Sequence, residues 1–185
     1  MKSGRRALGV AESFTDSDEK STLAGAVVQA NRAVDGFEFG DCTIGGMDSA
    51  EAIIGLYESL DREDIRYIFI NGIAPAWYNI IDMDQIAEEV DRPVIALSYE
   101  ESEGLEQPLR KAFSGREFRQ RYRRYQGLPE RKQTVTDGHV IFYRSAGLSQ
   151  DETAAVIQAY TGENRRPEPV RVAKLAASAV RRFRR

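Results

Sequence analysis

The hydropathy pattern of this chain changes period near residue 48, and that change limits the folds open to it. Before it, Ala7 to Phe14, Thr22 to Ala30 and Gly36 to Ile44 read as strands. The first ends in a polar turn through Lys20, the second is β-branched and small, and the third alternates through Phe37, Phe39, Cys42 and Ile44. Consecutive strands joined by short turns predict an antiparallel meander. After the change, Asp48 to Leu60 places Ile53, Ile54, Leu56, Tyr57 and Leu60 at helical spacing. Arg66 to Ile70 and Pro93 to Ser98 are short, nearly continuous apolar runs, as buried parallel strands tend to be. Ile80 to Val90 predicts a helix between them. Leu105 to Phe113 and Arg116 to Tyr125 predict basic helices, and Val135 to Arg144 a hairpin around Asp137-Gly138. Ser149 to Tyr160 and Pro169 to Arg182 predict the closing helices. The expectation is an α/β chain with a mixed five-stranded sheet, an antiparallel meander followed by alternating helices and parallel strands, with helices on both faces.

At 185 residues the chain reads as a single domain over 1–185 with enough length to bury a good core. No run approaches the ~20 apolar residues of a membrane span, and no apolar segment follows Lys2, Arg5 and Arg6, so a cytoplasmic protein with no membrane partner is expected. Cys42 is the single cysteine and His139 the single histidine, which excludes an internal disulfide and any mechanism needing two histidines. Charge is distributed unevenly. Residues 110–132 carry a net +7 and residues 165–185 a net +7, while the remainder carries −17. Such a split suits a DNA or RNA footprint on an acidic body, or a basic surface facing an acidic protein partner.

The run Arg166-Pro167-Glu168-Pro169-Val170-Arg171-Val172-Ala173-Lys174 resembles the PEP-x-R-x-A signature that opens the last helix of the endonuclease V superfamily. Four further segments, in order, are similar to those of the uncharacterised archaeal family often called "domain of unknown function ninety-nine", itself similar to endonuclease V. Leu8-Gly9-Val10-Ala11-Glu12-Ser13-Phe14 resembles its first strand, written G-I-D-D. Gly45-Gly46-Met47-Asp48-Ser49-Ala50-Glu51 resembles its D-G-x-D-x-T segment. Asn71-Gly72-Ile73-Ala74-Pro75-Ala76-Trp77-Tyr78-Asn79-Ile80-Ile81-Asp82 resembles its D-G-I-x-x-x-G-F-N-x-x-D segment, and Arg92-Pro93-Val94-Ile95-Ala96 its next strand. The resemblance implies a ribonuclease H-like fold, which the element order also fits. It further implies phosphodiester hydrolysis by Mg²⁺ or Mn²⁺ held between carboxylates, since such a metal needs hard oxygen ligands.

Against that pattern, Ala11 takes the place of the first-strand Asp, Asn71 that of the fourth-strand Asp, and Gly45 that of the first Asp of the D-G-x-D segment. Lys174 replaces a His or Asp of the final helix. Asp48 keeps a carboxylate, and Glu12 stands in for a second Asp. Ala11, Asn71 and Lys174 thus mark a remodelled ancestral site, while Asp48 and Glu12 are the candidate catalytic residues if the site works. Three local readings compete with function. Asp48-Ser49-Ala50-Glu51 has the spacing of a capping box. Glu12, directly after Ala11, points to the opposite face of a regular strand. Lys174, at the edge of a buried stripe of Val170, Ala173, Ala177 and Val180, is placed to pair with Asp48 or Glu12, or to turn outward. Asp82 reads as a helix cap.

Trp77 and Tyr78 follow the fourth strand and either stack on a base or pin their loop to the core. Arg116, Arg119, Arg121, Arg123 and Arg124 form the best phosphate-contact candidates, with Phe118, Tyr122 and Tyr125 sharing one helix face toward the core. Arg171 joins them as a candidate nucleic-acid contact, and a basic tail from about 181 to 185 adds charge. The leading expectation is a nucleic-acid-binding domain related to endonuclease V, without metal-dependent cleavage and with no cofactor. The alternatives are a working Mg²⁺ or Mn²⁺ nuclease using Glu12, Asp48 and Asp82, and a module that docks on an acidic protein.

Overall fold

A computed structural model describes residues 4–162 and 165–184. Its elements, in chain order, are Arg6–Ser13 (β1), Lys20–Gln29 (β2), Val34–Thr43 (β3), Ser49–Ser59 (α1), Ile65–Asn71 (β4), the single turn Pro75–Tyr78 (α2), Met83–Val90 (α3) and Val94–Ser98 (β5). Glu106–Ala112 (α4), Gly115–Gly127 (α5), Lys132–Thr136 (β6), His139–Ala146 (β7), Gln150–Tyr160 (α6) and Glu168–Phe183 (α7) complete it. One seven-stranded sheet runs in the order β3-β2-β1-β4-β5-β7-β6. The meander is antiparallel as expected, and β1, β4 and β5 are parallel neighbours.

The sheet is larger than the five strands expected. The hairpin β6–β7 extends it, because β7 pairs antiparallel with β5 from Val94↔Ala146 to Ser98↔Phe142. Its tight turn is the one the Asp-Gly pair predicts: Asp137 and Gly138 both take positive φ, 49° and 76°. Local sequence signals such a hairpin, but which edge it joins is a long-range matter.

Alternation along β1 sorts its side chains between two cores. Leu8 and Val10 join the core under α1, α3 and the aromatic face of α5. On the other face Ala11 packs with Ala26 and Val28 of β2 and Ala173 of α7, and Ala7 joins Phe69, Ile157 and Val170 under α6 and α7. Small residues on that face let α7 approach closely. The limit is Gly9, where a Cβ would fall onto the carbonyl of Pro169, well inside van der Waals contact. The Pro-Glu-Pro start of α7 therefore sits directly on β1.

Two helix starts differ from the sequence reading. Helix α3 begins at Met83 rather than Ile80, with Asp82 as its cap accepting from Gln85 N at 3.1 Å. The capping box forms at α6, between Ser149 and Glu152, and not at Asp48, whose carboxylate makes no cap bond. The basic C-terminal segment, expected as a tail from 181, continues α7 to Phe183, and Arg185 lies outside the described residues.

Candidate functional site

The carboxyl ends of β1 and β4, in register at Val10↔Ile70, meet the start of α1, the loop after β4 and the middle of α7. Asp48 and Asn79 organise one side of this junction. Thr43 donates to the Asp48 carboxylate from its backbone N (3.1 and 3.2 Å) and its hydroxyl (2.7 Å), and Asn79 Nδ2 donates at 2.6 Å. Asn79, fully buried, also donates to Thr43 O and accepts from Ser49 N at 3.0 Å, so it supplies the cap that Asp48 does not. Burial works to raise the Asp48 pKa, but the hydrogen bonds from Thr43 and Asn79 outweigh it and hold the carboxyl below the usual range. Asp48 is thus an ionised structural acceptor.

At the end of β1 the two faces of the strand carry opposite charges. Glu12 lies on the α1 face, as alternation from Ala11 requires, and accepts from the buried Ser21 hydroxyl at 2.7 Å. Cys42 shares this side. Burial first, then the charges of Asp48 and Glu12, push its thiol up to about 12, which removes it as a nucleophile. On the α7 face Lys174 Nζ donates to the backbone carbonyl of Glu12 at 2.6 Å. The ion pair expected with Asp48 or the Glu12 carboxylate does not form, because the strand places both acids across the sheet from α7. One turn on, Ser178 Oγ donates to Ser13 Oγ at 3.5 Å, and two turns on, Arg181 Nε donates to it at 3.1 Å. The sequence reading did not single out Ser13 or Ser178, and it placed Arg181 in a basic tail rather than against β1. The usable signal was the i, i+4, i+7 spacing of Lys174, Ser178 and Arg181.

The loop after β4 carries an unusual backbone. Ala76, Trp77 and Tyr78 take φ of 48°, 54° and 63°, a left-handed turn that costs L-residues roughly 1–2 kcal/mol each. Asn79 N closing on Pro75 O at 3.0 Å and Gly45 N donating to Ala76 O at 2.7 Å hold it. Trp77 is 49% exposed and leans on Tyr78 and Phe113. Tyr78 is half-buried and packs on the core, whereas Trp77 keeps about half its surface in solvent. At Gly45, with φ 67°, any side chain would be strained and would push on the Trp77 ring, since a Cβ would lie 2.9 Å from Trp77 Cε3. Trp77 occupies the ground an aspartate at 45 would need.

Helix α5 flanks the same loops. Its aromatic face packs inward as expected, Phe118, Tyr122 and Tyr125 against the core. Arg121 goes with them. It is 5% exposed, its guanidinium 3.9 Å from the centre of the Phe113 ring, and donates to Gly45 O and Gly46 O. Arg121 sits three residues after Phe118 and four before Tyr125, a phase that marks it as inward. Arg124 donates to Met47 O at 2.9 Å, so it clamps a loop rather than reaching outward. Arg171 is closed by Glu168, with bonds of 2.8 and 2.5 Å. Of the expected phosphate contacts, Arg116, Arg119 and Arg123 remain exposed along one stripe, without a hydrogen-bond or ion-pair partner among the described residues.

These donors do not fit a divalent metal. Ala11, Gly45 and Asn71 offer no carboxylate, Asp48 already accepts from Thr43 and Asn79, and the Glu12 carboxylate is engaged by Ser21. The Lys174 ammonium sits against the end of β1 and would repel a metal there. No group of three His, Cys, Asp or Glu gathers among the described residues.

A family model described as endonuclease dU matches residues 3–181. The UPF0215 protein of Pyrobaculum calidifontis is 32% identical over 177 residues, covering 95% of this chain and 97% of that protein. A crystal structure of a protein of unknown function from Archaeoglobus fulgidus has a TM-score of 0.82 at 26% identity, covering 95% and 97% of the two chains. Endonuclease V of Ciona intestinalis, in complex with an inosine-containing DNA, has a TM-score of 0.66 at 11% identity, covering 98% and 87%, and so shares the fold. With its five motifs in order, its sheet topology and a match over nearly its full length, the chain belongs to the endonuclease dU family.

Proposed function

We propose that this chain is a nucleic-acid-binding member of its family in which the metal-dependent cleavage site has been replaced. The observation that carries the reading is Lys174 Nζ on the Glu12 carbonyl, 2.6 Å away at the end of β1. Where the motif resemblance implies carboxylates around a cation, this chain supplies an ammonium. The family's name points to deoxyuridine and the Ciona structure to inosine, so DNA carrying either base is the partner to test first. Arg116, Arg119 and Arg123 furnish the phosphate contacts and Trp77 a stacking surface. The cleft of about 570 Å³ at the ends of β4 and β5 is lined by both signs of charge, Glu100, Glu101 and Glu103 with Arg131 and Arg144.

The test is cleavage and binding of labelled DNA, with and without deoxyuridine or inosine, in Mn²⁺ at low salt, beside Asp48→Asn. The expected result is binding that weakens steeply with salt, and no cutting. Cutting by the wild type that Asp48→Asn abolishes would make the chain a working nuclease. Absence of binding would turn attention to an acidic protein partner.

A further inference from the structure

Lys174, Ser178 and Arg181 form a polar stripe on α7 that converges on the last residues of β1, and its hydrogen-bond inventory is unbalanced. Lys174 spends one of its three N–H donors on Glu12 O. Arg181 spends Nε on Ser13, and its NH1 is buried with no hydrogen-bond partner among the described residues. Ser13 is 7% exposed and accepts from both Arg181 Nε and Ser178 Oγ, which leaves its own O–H to donate. Apart from the Ser178 oxygen, whose hydrogen is spent on Ser13, the free groups in the cluster are therefore donors. No carboxylate among the described residues pairs with Lys174 or Arg181: Glu12 is turned to the other face, Asp41 is taken by Arg184, and Glu168 by Arg171. Two unpaired cations and a buried hydroxyl donor at one spot call for an anion with several acceptor oxygens.

We infer that Ser13, Lys174, Ser178 and Arg181 form a phosphate-binding site at the carboxyl end of β1. That the phosphate is a nucleic-acid phosphodiester rests on the function proposed above; that the site takes phosphate does not. Lys174 and Arg181 bring the positive charge, and the Ser13 O–H, oriented by the hydrogen bond it accepts from Ser178, donates to an oxygen of the anion. The site lies on the face opposite Asp48, so it also accounts for a remodelled junction that keeps its acids and its bases apart.

The experiment has two arms. In the first, inorganic phosphate is titrated into the full chain while the Arg181 Nε–Hε resonance is followed by NMR, with chloride at matched ionic strength as control. A saturable shift, lost in Lys174→Gln, is expected. In the second, binding of a fluorescent single-stranded DNA is measured against salt. Arg181→Gln and Lys174→Gln each weaken it about tenfold and lower the salt slope by about one, while Arg181→Lys retains most of the affinity. Ser178→Ala, which leaves both cations in place, reads the hydroxyl contribution with little risk to folding. Absence of any saturable phosphate shift overturns the site. DNA binding that the variants leave unchanged likewise overturns its role, while the broader nucleic-acid reading survives. A phosphate shift without DNA binding keeps the site and overturns that broader reading.

Discussion

Helices α5 and α7 are both basic, and they approach the same end of the sheet from opposite faces, yet they use their cations differently. On α5, phase relative to the core divides the arginines. Arg121 and Arg124 turn inward and end on main-chain carbonyls of the Gly45–Met47 loop, while Arg116, Arg119 and Arg123 turn outward. On α7 the division runs along the helix. Arg171 is neutralised by Glu168 within its first turn, and Lys174 and Arg181 end on β1. The acceptor that a helix's phase and depth bring within reach decides whether a cation builds structure, is cancelled, or stays open to phosphate.

The contrast can be broken most forcefully at Gly9. Gly9→Ala would drive α7 off β1 and lift Lys174 from the Glu12 carbonyl, at a cost of roughly 3 kcal/mol, or about 10 °C in melting temperature. Calorimetry reads this, and an unchanged transition would mean α7 is not seated on β1. Next in size, Arg121→Gln should cost about 2 kcal/mol, since it strips a charged donor from two carbonyls and a ring from its cation. Arg119→Gln, on the same helix, should stay within about 0.5 kcal/mol and instead reduce the salt slope of DNA binding by about one. Equal effects from the two would erase the inner and outer sets. The smallest effect concerns the loop that α5 clamps. The folded-state pKa of Asp48 is depressed, so its stabilisation is complete above the unfolded carboxylate value of about 3.9 and is lost as pH falls through the lower folded value. Asp48→Asn should therefore cost about 0.5–1 kcal/mol at neutral pH, a gap that closes in urea titrations carried below about pH 4.

Much of the fold was legible because its signals are local. The meander, the alternation of helix and strand, the Asp-Gly turn and the inward aromatic face of α5 each follow from spacing within about ten residues. The non-acidic residues Ala11, Gly45 and Asn71 at the three motif positions were equally plain, as was Glu12 facing away from Ala11. What escaped involved choices between distant partners. Asp48 and Glu51 had capping spacing, but Asn79, thirty residues on from Ser49, took the cap and, together with Thr43, holds the Asp48 carboxylate. Arg171 looked available until Glu168 was found against it.

The amino-acid order alone determined which elements form, which face of each is apolar, and that positions 11, 45 and 71 carry Ala, Gly and Asn rather than carboxylates. Tertiary structure alone decided that β7 joins β5, that Ala76 to Tyr78 are held left-handed, and that Lys174 meets a main-chain carbonyl with Arg181 and Ser13 beside it. The division has one physical cause. Periodicity is written into neighbouring residues, whereas a hydrogen-bond donor's partner is chosen by which acceptors the packed sheet and helices leave within about 3 Å.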